Sequence, residues 1–387
     1  MPRPPHTAPT AASLSSRVFS GLTRRAAELE ASGKTVHRLS VGDTYKEPLP
    51  CARAENQTLE ERPGLHRYAP PRGEPALLAA VARRLERLHT PVDLGLLQIV
   101  SGATSGLSNV ASALLSPGDE VLLPSPYWPL IRGIIAGRGA TAVEVPAFLP
   151  EHREAFLPRL EAALTERTVA LYLNSPHNPT GAVLSEPEID ALAHFAEAHD
   201  LWVIADEAYQ DLYFGEVPPR VWTHPKLRPR AVVCHTLSKS YGIAGSRIGY
   251  VHGPAEAMAA VRGVQTFSTY CAPRPLQFAA AQVLDEGDAW LAERRAEYSE
   301  TVKRAAEQLE IEAPPGGTFF FADMSAHMRP GEDDVLPVLE RVLEGGVLLT
   351  PGHACGKHFT HAARICFTGV PPSELDAALT KLKQALA

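Results

Sequence analysis

Short apolar runs alternate with amphipathic stretches between residues 76 and 251. The amphipathic stretches predict helices at 76–88, 103–115 and 186–199, and another that begins at Tyr127. The apolar runs predict strands, one ending at Ser101 and the others at 120–123, 141–145, 169–173, 201–205, 231–235 and 247–251. Continuous apolar strands separated by helices are typical of a mostly parallel sheet with helices on both faces. The pattern therefore predicts an α/β fold with a doubly wound sheet.

The pattern changes at both ends of the chain. Residues 15–32 predict an amphipathic helix that stops at Gly33, and beyond residue 275 long helices at 275–311 and 373–386 surround a few strands. We therefore predict a second, smaller α+β domain. The predicted division is an N-terminal arm and helix at 1–47 that joins the smaller domain, a large domain at 48–278, and the rest of the smaller domain at 279–387.

Composition narrows the class of protein. The 387 residues are 45% hydrophobic and carry a net charge of −7 that is spread along the chain, without the basic runs that nucleic-acid or membrane binding requires. The first nine residues contain prolines where a signal peptide needs an apolar core. The five cysteines form no CxxC pair, which favours reduced thiols and a cytoplasmic location. Cys355 and the histidines around it match no zinc-ligand spacing, so we predict no metal site.

Polar residues follow four of the predicted strands, at 101–104, 174–178, 206 and 236–239. Ligands of doubly wound sheets bind beyond the carboxyl ends of the strands, so these residues are expected to share one site. Lys239 follows a buried strand between the hydroxyls of Thr236 and Ser238, and a lysine amine in such a place forms an imine with a carbonyl. Arg247 offers a planar fork for a phosphate. The alternative for Lys239 alone is a solvated loop lysine.

Asp206 ends an apolar run, so its carboxylate is expected to be buried and to need a cationic partner. A protonated pyridine nitrogen is such a partner, and the charged ring then withdraws electrons. Tyr209 lies close enough in sequence to reach the phenolic oxygen of the same ring. The alternative is a magnesium-binding Asp-Glu pair, but the phosphate-binding GxxxxGK[ST] motif is missing.

Three further segments have weaker signals. Asn178 lies in a proline-rich loop and is placed to donate to the phenolic oxygen, although Asn-Pro is also an ordinary turn pair. The helix after Ser101 offers backbone amides to a phosphate, and it lacks the GxGxxG motif of dinucleotide sites. Trp128 is either a stacking platform for a ring or a core aromatic.

Taken together and in this order, the motifs resemble the class I/II aminotransferases of the fold type I pyridoxal-phosphate (PLP) enzymes. The resemblance covers nearly the whole chain. Its most specific marks are NPTG at 178–181 and SKxxGxxGxRxGY at 238–250. Further matching segments lie at 40–50, 66–81, 316–321, 347–356 and 363–369.

The resemblance implies PLP as the cofactor and a role for each matched residue. Lys239 would carry the cofactor as a Schiff base and move a proton, Asp206 would pair with the pyridine nitrogen, and Asn178 and Tyr209 would bond the phenolic oxygen. Trp128 would stack on the ring. The implied phosphate ligands are Ala103, Thr104, Thr236, Arg247 and, from the second subunit of a homodimer, Tyr68. The implied substrate contacts are Gly42, Asn178 and Arg364, the last to the α-carboxylate.

The implied reaction is transfer of an amino group between an L-amino acid and a 2-oxo acid. Phe267 stands about where the aspartate-specific members have an arginine, so aromatic or uncharged amino acids are the expected donors, in a pocket of Tyr45, Phe267, Tyr270 and Cys271. A lyase of the same fold that cleaves C–S bonds is the nearest alternative. A ligand-sensing regulator is the other, but residues 1–40 leave room for one helix only, too few for a DNA-binding segment.

Overall fold

The computed structural model describes residues 8–12, 14, 20–60 and 62–387. Its helices, apart from short 3-10 turns, are α1 (Pro9–Ala12), α2 (Ser20–Ala31), α3 (Pro75–Arg87), α4 (Gly102–Leu114), α5 (Pro129–Ala136), α6 (Pro150–Arg153), α7 (Phe156–Ala162), α8 (Glu186–Ala198), α9 (Leu237–Ser240), α10 (Ala255–Ser268), α11 (Arg274–Glu286), α12 (Asp288–Leu309), α13 (Leu336–Glu344) and α14 (Pro372–Leu386). Its strands are β1 (His37–Arg38), β2 (Leu97–Val100), β3 (Glu120–Ser125), β4 (Thr141–Pro146), β5 (Thr168–Asn174), β6 (Trp202–Asp206), β7 (Ala231–Thr236), β8 (Gly249–His252), β9 (Phe319–Asp323), β10 (Val347–Leu348), β11 (Thr350–Pro351) and β12 (Ala362–Cys366).

A seven-stranded sheet forms the centre of the molecule, in the order β2-β8-β7-β6-β5-β3-β4. The pairs among β3 to β7 are parallel, whereas β8 pairs antiparallel with both β7 and β2. Every residue of β2, β3, β7 and β8 is buried, which agrees with the continuous apolar runs of the sequence. The predicted mostly parallel α/β sheet is confirmed.

Helices cover both faces of this sheet. Because side chains alternate along a strand, Val203 and Val233 face the layer that contains α3, α8 and α11. Ile204 and Val232 face the opposite layer, which contains α4, α5 and α10. Each large apolar side chain buried in these layers stabilises the fold by about 1.5–3 kcal/mol.

The ends of the chain meet in a second region. Strands β11, β12 and β9 form a three-stranded antiparallel sheet, and β1 pairs in parallel with β10. Leu29 of α2 packs against Leu343 and Leu348. The N-terminal segment is thus attached to the C-terminal third of the chain, and the division at 47/48 and 278/279 remains a proposal.

Several elements differ from their predictions. Within the described residues, the predicted helix at 15–32 is observed at Ser20–Ala31, and residues 15–19 of the prediction lie outside the described part of the chain. The helix predicted at 275–311 is two helices that meet at Gly287, where a Cβ would lie 2.5 Å from the Val283 carbonyl oxygen. Helix α10 was not predicted. Within the described residues, the helices are too short or too polar to cross a lipid bilayer.

Candidate active site

A cavity of about 470 Å³ opens beyond the carboxyl ends of the central strands, within the usual range for small-molecule sites. Most of the predicted site residues line it together. They are Gly42, Ala103, Thr104, Trp128, Asn178, Asp206, Tyr209, Thr236, Lys239, Arg247 and Arg364.

Lys239 lies on α9, the single helical turn that follows β7. Thr236 begins this turn, and its hydroxyl accepts a hydrogen bond from the Ser238 amide at 3.2 Å. The Lys239 Nζ donates to the carbonyl oxygen of Gly42. Burial lowers the pKa of Lys239 below its ordinary value, which favours the neutral, nucleophilic amine.

Asp206 ends β6 and is buried. The Tyr172 hydroxyl donates to its Oδ2 at 2.8 Å, and the Ala208 amide donates to its Oδ1 at 3.1 Å. Burial raises the pKa of Asp206 to about 6, although both donors act in the opposite direction. A cation in the cavity would favour the charged form of this carboxylate.

A chain of hydrogen bonds joins the amide of Asn178 to two other side chains. The Arg364 Nη1 donates to the Asn178 Oδ1 at 2.9 Å, and the Asn178 Nδ2 donates to the Tyr209 hydroxyl at 3.3 Å. The backbone amide of Asn178 donates to the Asn174 Oδ1 at 2.8 Å. Burial raises the pKa of Tyr209, so its hydroxyl keeps its proton and has it available to donate to a ligand.

Arg364 lies in the middle of β12 with its guanidinium over the ring of Phe319, 4.2 Å from the ring centroid. Its Nη2 donates to the Ser40 carbonyl oxygen at 2.8 Å. The buried Nε has no partner among the described atoms. The guanidinium is therefore fixed in place and still has N–H groups to offer to a carboxylate.

A positively charged corner lies where α4 begins. Gly102 has φ +78° there, which favours glycine, and a Cβ on it would lie 2.6 Å from the Arg247 Nη2, so a side chain there would displace the guanidinium. Arg247 itself has a left-handed backbone with φ 54°. The free amides at the start of α4, the guanidinium, and the hydroxyls of Thr236 and Ser238 together make a site for an anionic group.

The donor set of the cavity matches the functional groups of PLP. Lys239 offers an amine for the aldehyde, and Asp206 offers a carboxylate for the pyridine nitrogen. The corner around Arg247 suits the phosphate, and Trp128, half-buried in the wall, offers a face for the ring. Among the described residues, no group of three or more His, Cys, Asp or Glu is arranged to hold a metal ion.

Four aromatic or polar residues predicted to contact cofactor or substrate lie elsewhere. Tyr68 is 82% exposed and packs edge-on against Tyr270, at 5.4 Å between the rings, outside the cavity. Phe267 is 94% exposed on α10, and the Tyr45 hydroxyl bonds Glu297. The side-chain pocket predicted from Tyr45, Phe267, Tyr270 and Cys271 is therefore wrong for the cavity of one protomer, since the turn between α10 and α11 faces the outer surface.

Other lining residues were missed by the sequence analysis. Leu22 and Thr23 of α2 form part of the wall, together with Val41, Leu107, Leu130 and Leu348. An apolar residue on an amphipathic helix gives the same signal whether it faces a core or a ligand. The supporting side chains Tyr172 and Phe319 were missed for the same reason.

The chain is similar in sequence and in structure to known aminotransferases. A sequence profile of the family "Aminotransferase class I and II" matches residues 34–382. A probable aspartate/prephenate aminotransferase of Thermus aquaticus is 32% identical over 94% of each chain. The arginine–pyruvate transaminase AruH of Pseudomonas aeruginosa is 32% identical over 84% of this chain and 83% of its own. The structure of the Thermus thermophilus aspartate aminotransferase with maleate superposes with a TM-score of 0.88 at 28% identity, covering 98% of this chain and 100% of that one.

Proposed function

The chain belongs to the class I and II aminotransferase family and is thus a PLP-dependent aminotransferase, and from this premise we propose that its amino donor is an uncharged, preferably aromatic, L-amino acid. The amino acceptor is a 2-oxo acid. PLP, when bound, supplies a carbonyl that accepts the amino group and a ring that withdraws electrons from the substrate Cα. The proposal rests on the apolar wall of the cavity.

Lys239 is the proposed covalent attachment point of the cofactor. Its lowered pKa favours the neutral amine, which then serves to take a proton from the substrate Cα at the Nζ. The Gly42 carbonyl that accepts from the Nζ holds the side chain toward the cavity.

The other roles follow from the chemistry of each side chain. Asp206 is proposed to pair with the ring nitrogen, and Asn178 and Tyr209 to bond the phenolic oxygen. Trp128 is proposed to stack on the ring, and Arg364 to bind the α-carboxylate next to Gly42. The proposed phosphate ligands are the start of α4 at Ala103 and Thr104, the hydroxyl of Thr236, and the guanidinium of Arg247.

The donor preference is supported by the charges of the cavity. Among the described residues that line it, the cations are Lys239, Arg247 and Arg364, and each already has a proposed partner. A second substrate carboxylate would be left unpaired against Leu22, Leu107 and other apolar side chains, at a cost of several kcal/mol. The named relatives act on donors as different as aspartate and arginine, so family membership alone leaves the donor open.

The test is the ratio of kcat/KM for phenylalanine to that for aspartate in the first half-reaction, followed without an acceptor at the absorption band of the cofactor. We expect a ratio above one. The variant Leu22→Lys adds a cation to the wall and should lower this ratio by favouring aspartate. A ratio well below one for the unmodified enzyme contradicts the proposal, and release of pyruvate and ammonia in place of transamination would indicate a lyase.

A homodimer is part of the proposal. Tyr68, Phe267 and Tyr270 are large exposed side chains on one surface, and a second copy that covers them would bring Tyr68 to the phosphate site of its partner. Sedimentation should give a dimer, and a fully active monomer would contradict this. We also propose a cytoplasmic location, on the ground that all five cysteines are thiols.

A further inference from the structure

One buried hydroxyl has no part in the roles proposed so far. Tyr172 lies near the end of β5, in the run TVALYLN, and is only 2% exposed. It does not line the cavity, but it lies behind Asp206, to whose Oδ2 its hydroxyl donates at 2.8 Å. A phenylalanine would fill the same space in this strand.

Packing alone therefore does not explain why this position has a tyrosine hydroxyl. A buried hydroxyl costs free energy unless it is hydrogen bonded, and here its partner is a carboxylate at the edge of the cavity. Burial raises the pKa of Tyr172 well above its ordinary value, so the hydroxyl keeps its proton and acts as the donor.

The backbone of Asp206 is held independently of Tyr172. The Asn174 Nδ2 donates to the Asp206 carbonyl oxygen at 2.7 Å, and the Oδ1 accepts from the Ala208 amide. Loss of the tyrosine hydroxyl would thus leave the carboxylate in place but remove a donor that favours its charged form.

We propose that Tyr172 is a positioning residue that keeps Asp206 ionised, so that the shared proton stays on the ring nitrogen of the cofactor. The inference rests on the proposed pairing of Asp206 with that nitrogen. Without the hydroxyl, an Asp206 oxygen would hold more of the proton that it shares with the ring nitrogen, and the less protonated ring would withdraw electrons less strongly. No atoms other than this proton change place.

The experiment uses holoenzyme loaded with PLP that carries 15N in the ring, measured by NMR without substrate. In the unmodified enzyme we expect the chemical shift of a protonated ring nitrogen. In Tyr172→Phe we expect a displacement toward the deprotonated value, with kcat lower by about tenfold and KM nearly unchanged. The matched control is Tyr127→Phe, because the buried Tyr127 also donates to a carboxylate, that of Glu144, at 2.8 Å. Its ring-nitrogen shift should equal that of the unmodified enzyme.

A second measurement separates positioning from a loss of structure. In an Asp206→Asn background, Tyr172→Phe should have little further effect on kcat, because the two side chains act as a unit. An equal loss of kcat in both backgrounds would overturn the proposal, as would an unchanged 15N shift in Tyr172→Phe beside a protonated ring in the unmodified enzyme. A neutral ring in the unmodified enzyme would overturn both this proposal and the pairing of Asp206, whereas the donor preference is tested separately.

Discussion

At the scale of single residues, Asp206 and Tyr209 both face the cavity but are expected to differ greatly in importance. Asp206→Ala removes the counter-charge of the ring nitrogen and should lower kcat by at least about 100-fold, near 2.7 kcal/mol. Tyr209→Phe removes one hydrogen bond of ~1 kcal/mol and should cost about fivefold. Steady-state kinetics of the two variants check this, and equal activities would contradict the electronic role of Asp206.

Arg364 is expected to act on every amino acid substrate alike. Its guanidinium already bonds Asn178 and Ser40, and a lysine has no planar fork to keep these bonds and bind a carboxylate as well. Arg364→Lys should raise KM by about 10- to 100-fold for phenylalanine and aspartate equally, as expected for the loss of a charge-assisted bond. Arg274→Lys is the control, since Arg274 pairs with Glu74 outside the cavity and should leave KM unchanged. A selective loss of aspartate activity in either variant would assign a distal carboxylate to that arginine.

The residues that the sequence predicted well share a local signal. Asp206 is the last residue of an apolar strand, and Lys239 and Asn178 follow within four residues of such strands, so their position at the sheet edge follows from the pattern alone. Tyr172 and Phe319 give no such signal, because an aromatic residue that supports a site is read as core. One protomer does not form the predicted side-chain pocket, because closeness in sequence to Cys271 says nothing about the direction in which the turn faces.

At the scale of elements, α9 is a single turn that must hold Lys239 in place. Its Ser240 hydroxyl donates to the Asp211 Oδ2 at 2.7 Å, and the buried Arg84 of α3 donates to the Oδ1 at 2.7 Å. Burial alone would raise the pKa of Asp211, but the charges of Arg84 and Arg220, together with the hydrogen bonds from Ser240 and Arg84, outweigh it and lower the pKa. The side chain of Asp211, in the segment after β6 that also contains Tyr209, thus connects α3 through Arg84 and α9 through Ser240.

Breaking the pair from one side should be costly. Arg84→Met removes the salt-bridge partner of the buried Asp211 and should lower the free energy of unfolding by about 3–5 kcal/mol. The adjacent Arg83 forms an ion pair of similar length, 2.6 Å, with Asp285 at the surface. Arg83→Met should therefore change the free energy of unfolding by less than about 1 kcal/mol. Urea unfolding of both variants measures the difference. Equal losses would mean that the burial of the Arg84 pair has no energetic consequence.

At the scale of the whole molecule, the periodicity of the chain predicted the α/β class but not the order of the strands. Parallel pairing between β5, β6 and β7 depends on contacts between distant segments, and the antiparallel β8 gives the same apolar run as its parallel neighbours. The break at Gly287 was missed although glycine is a stop signal for helices, whereas the close approach of Tyr241, which leaves no room for a Cβ there, cannot be read from the sequence.

A buried histidine pair is expected to make the stability of the folded protein depend on pH. The His235 Nε2 and His252 Nε2 lie 3.0 Å apart between β7 and β8, with Trp222 and Arg220 nearby. Burial, with Arg220 adding to it, lowers the pKa of His252 from its ordinary value to about 3. The pKa of His235 is also far below its ordinary value, mainly through burial and through His252.

The direction of the pH effect follows from these shifts. Below about pH 6.5 the unfolded chain takes up a proton at His252 that the folded protein takes up only near pH 3. The contribution of His252 to the free energy of unfolding is therefore fully present above about pH 6.5 and decreases as the pH falls from 6.5 to 3. Within this range one such histidine lowers the free energy of unfolding by about 1.4 kcal/mol for each pH unit of decrease. The raised pKa values of Asp206 and Glu207 act in the opposite direction, but they are common to all variants with intact carboxylates.

His252→Gln isolates this contribution, because glutamine is neutral at every pH and still offers an amide to His235. Urea unfolding of the holoenzyme at pH 7.5, 6.5, 5.5 and 4.5 gives the slope of stability against pH. Between about pH 5.5 and 4.5 the slope of the variant should be smaller by ~1.4 kcal/mol per pH unit, whatever the substitution costs at pH 7.5. His194→Gln on the exposed face of α8 serves as the control for general effects of removing a histidine. If the slopes of His252→Gln and the unmodified enzyme are the same, His252 is already charged in the folded protein, and the Glu207 carboxylate, 4.0 Å from the His235 Nδ1, is then the counter-charge of the pair.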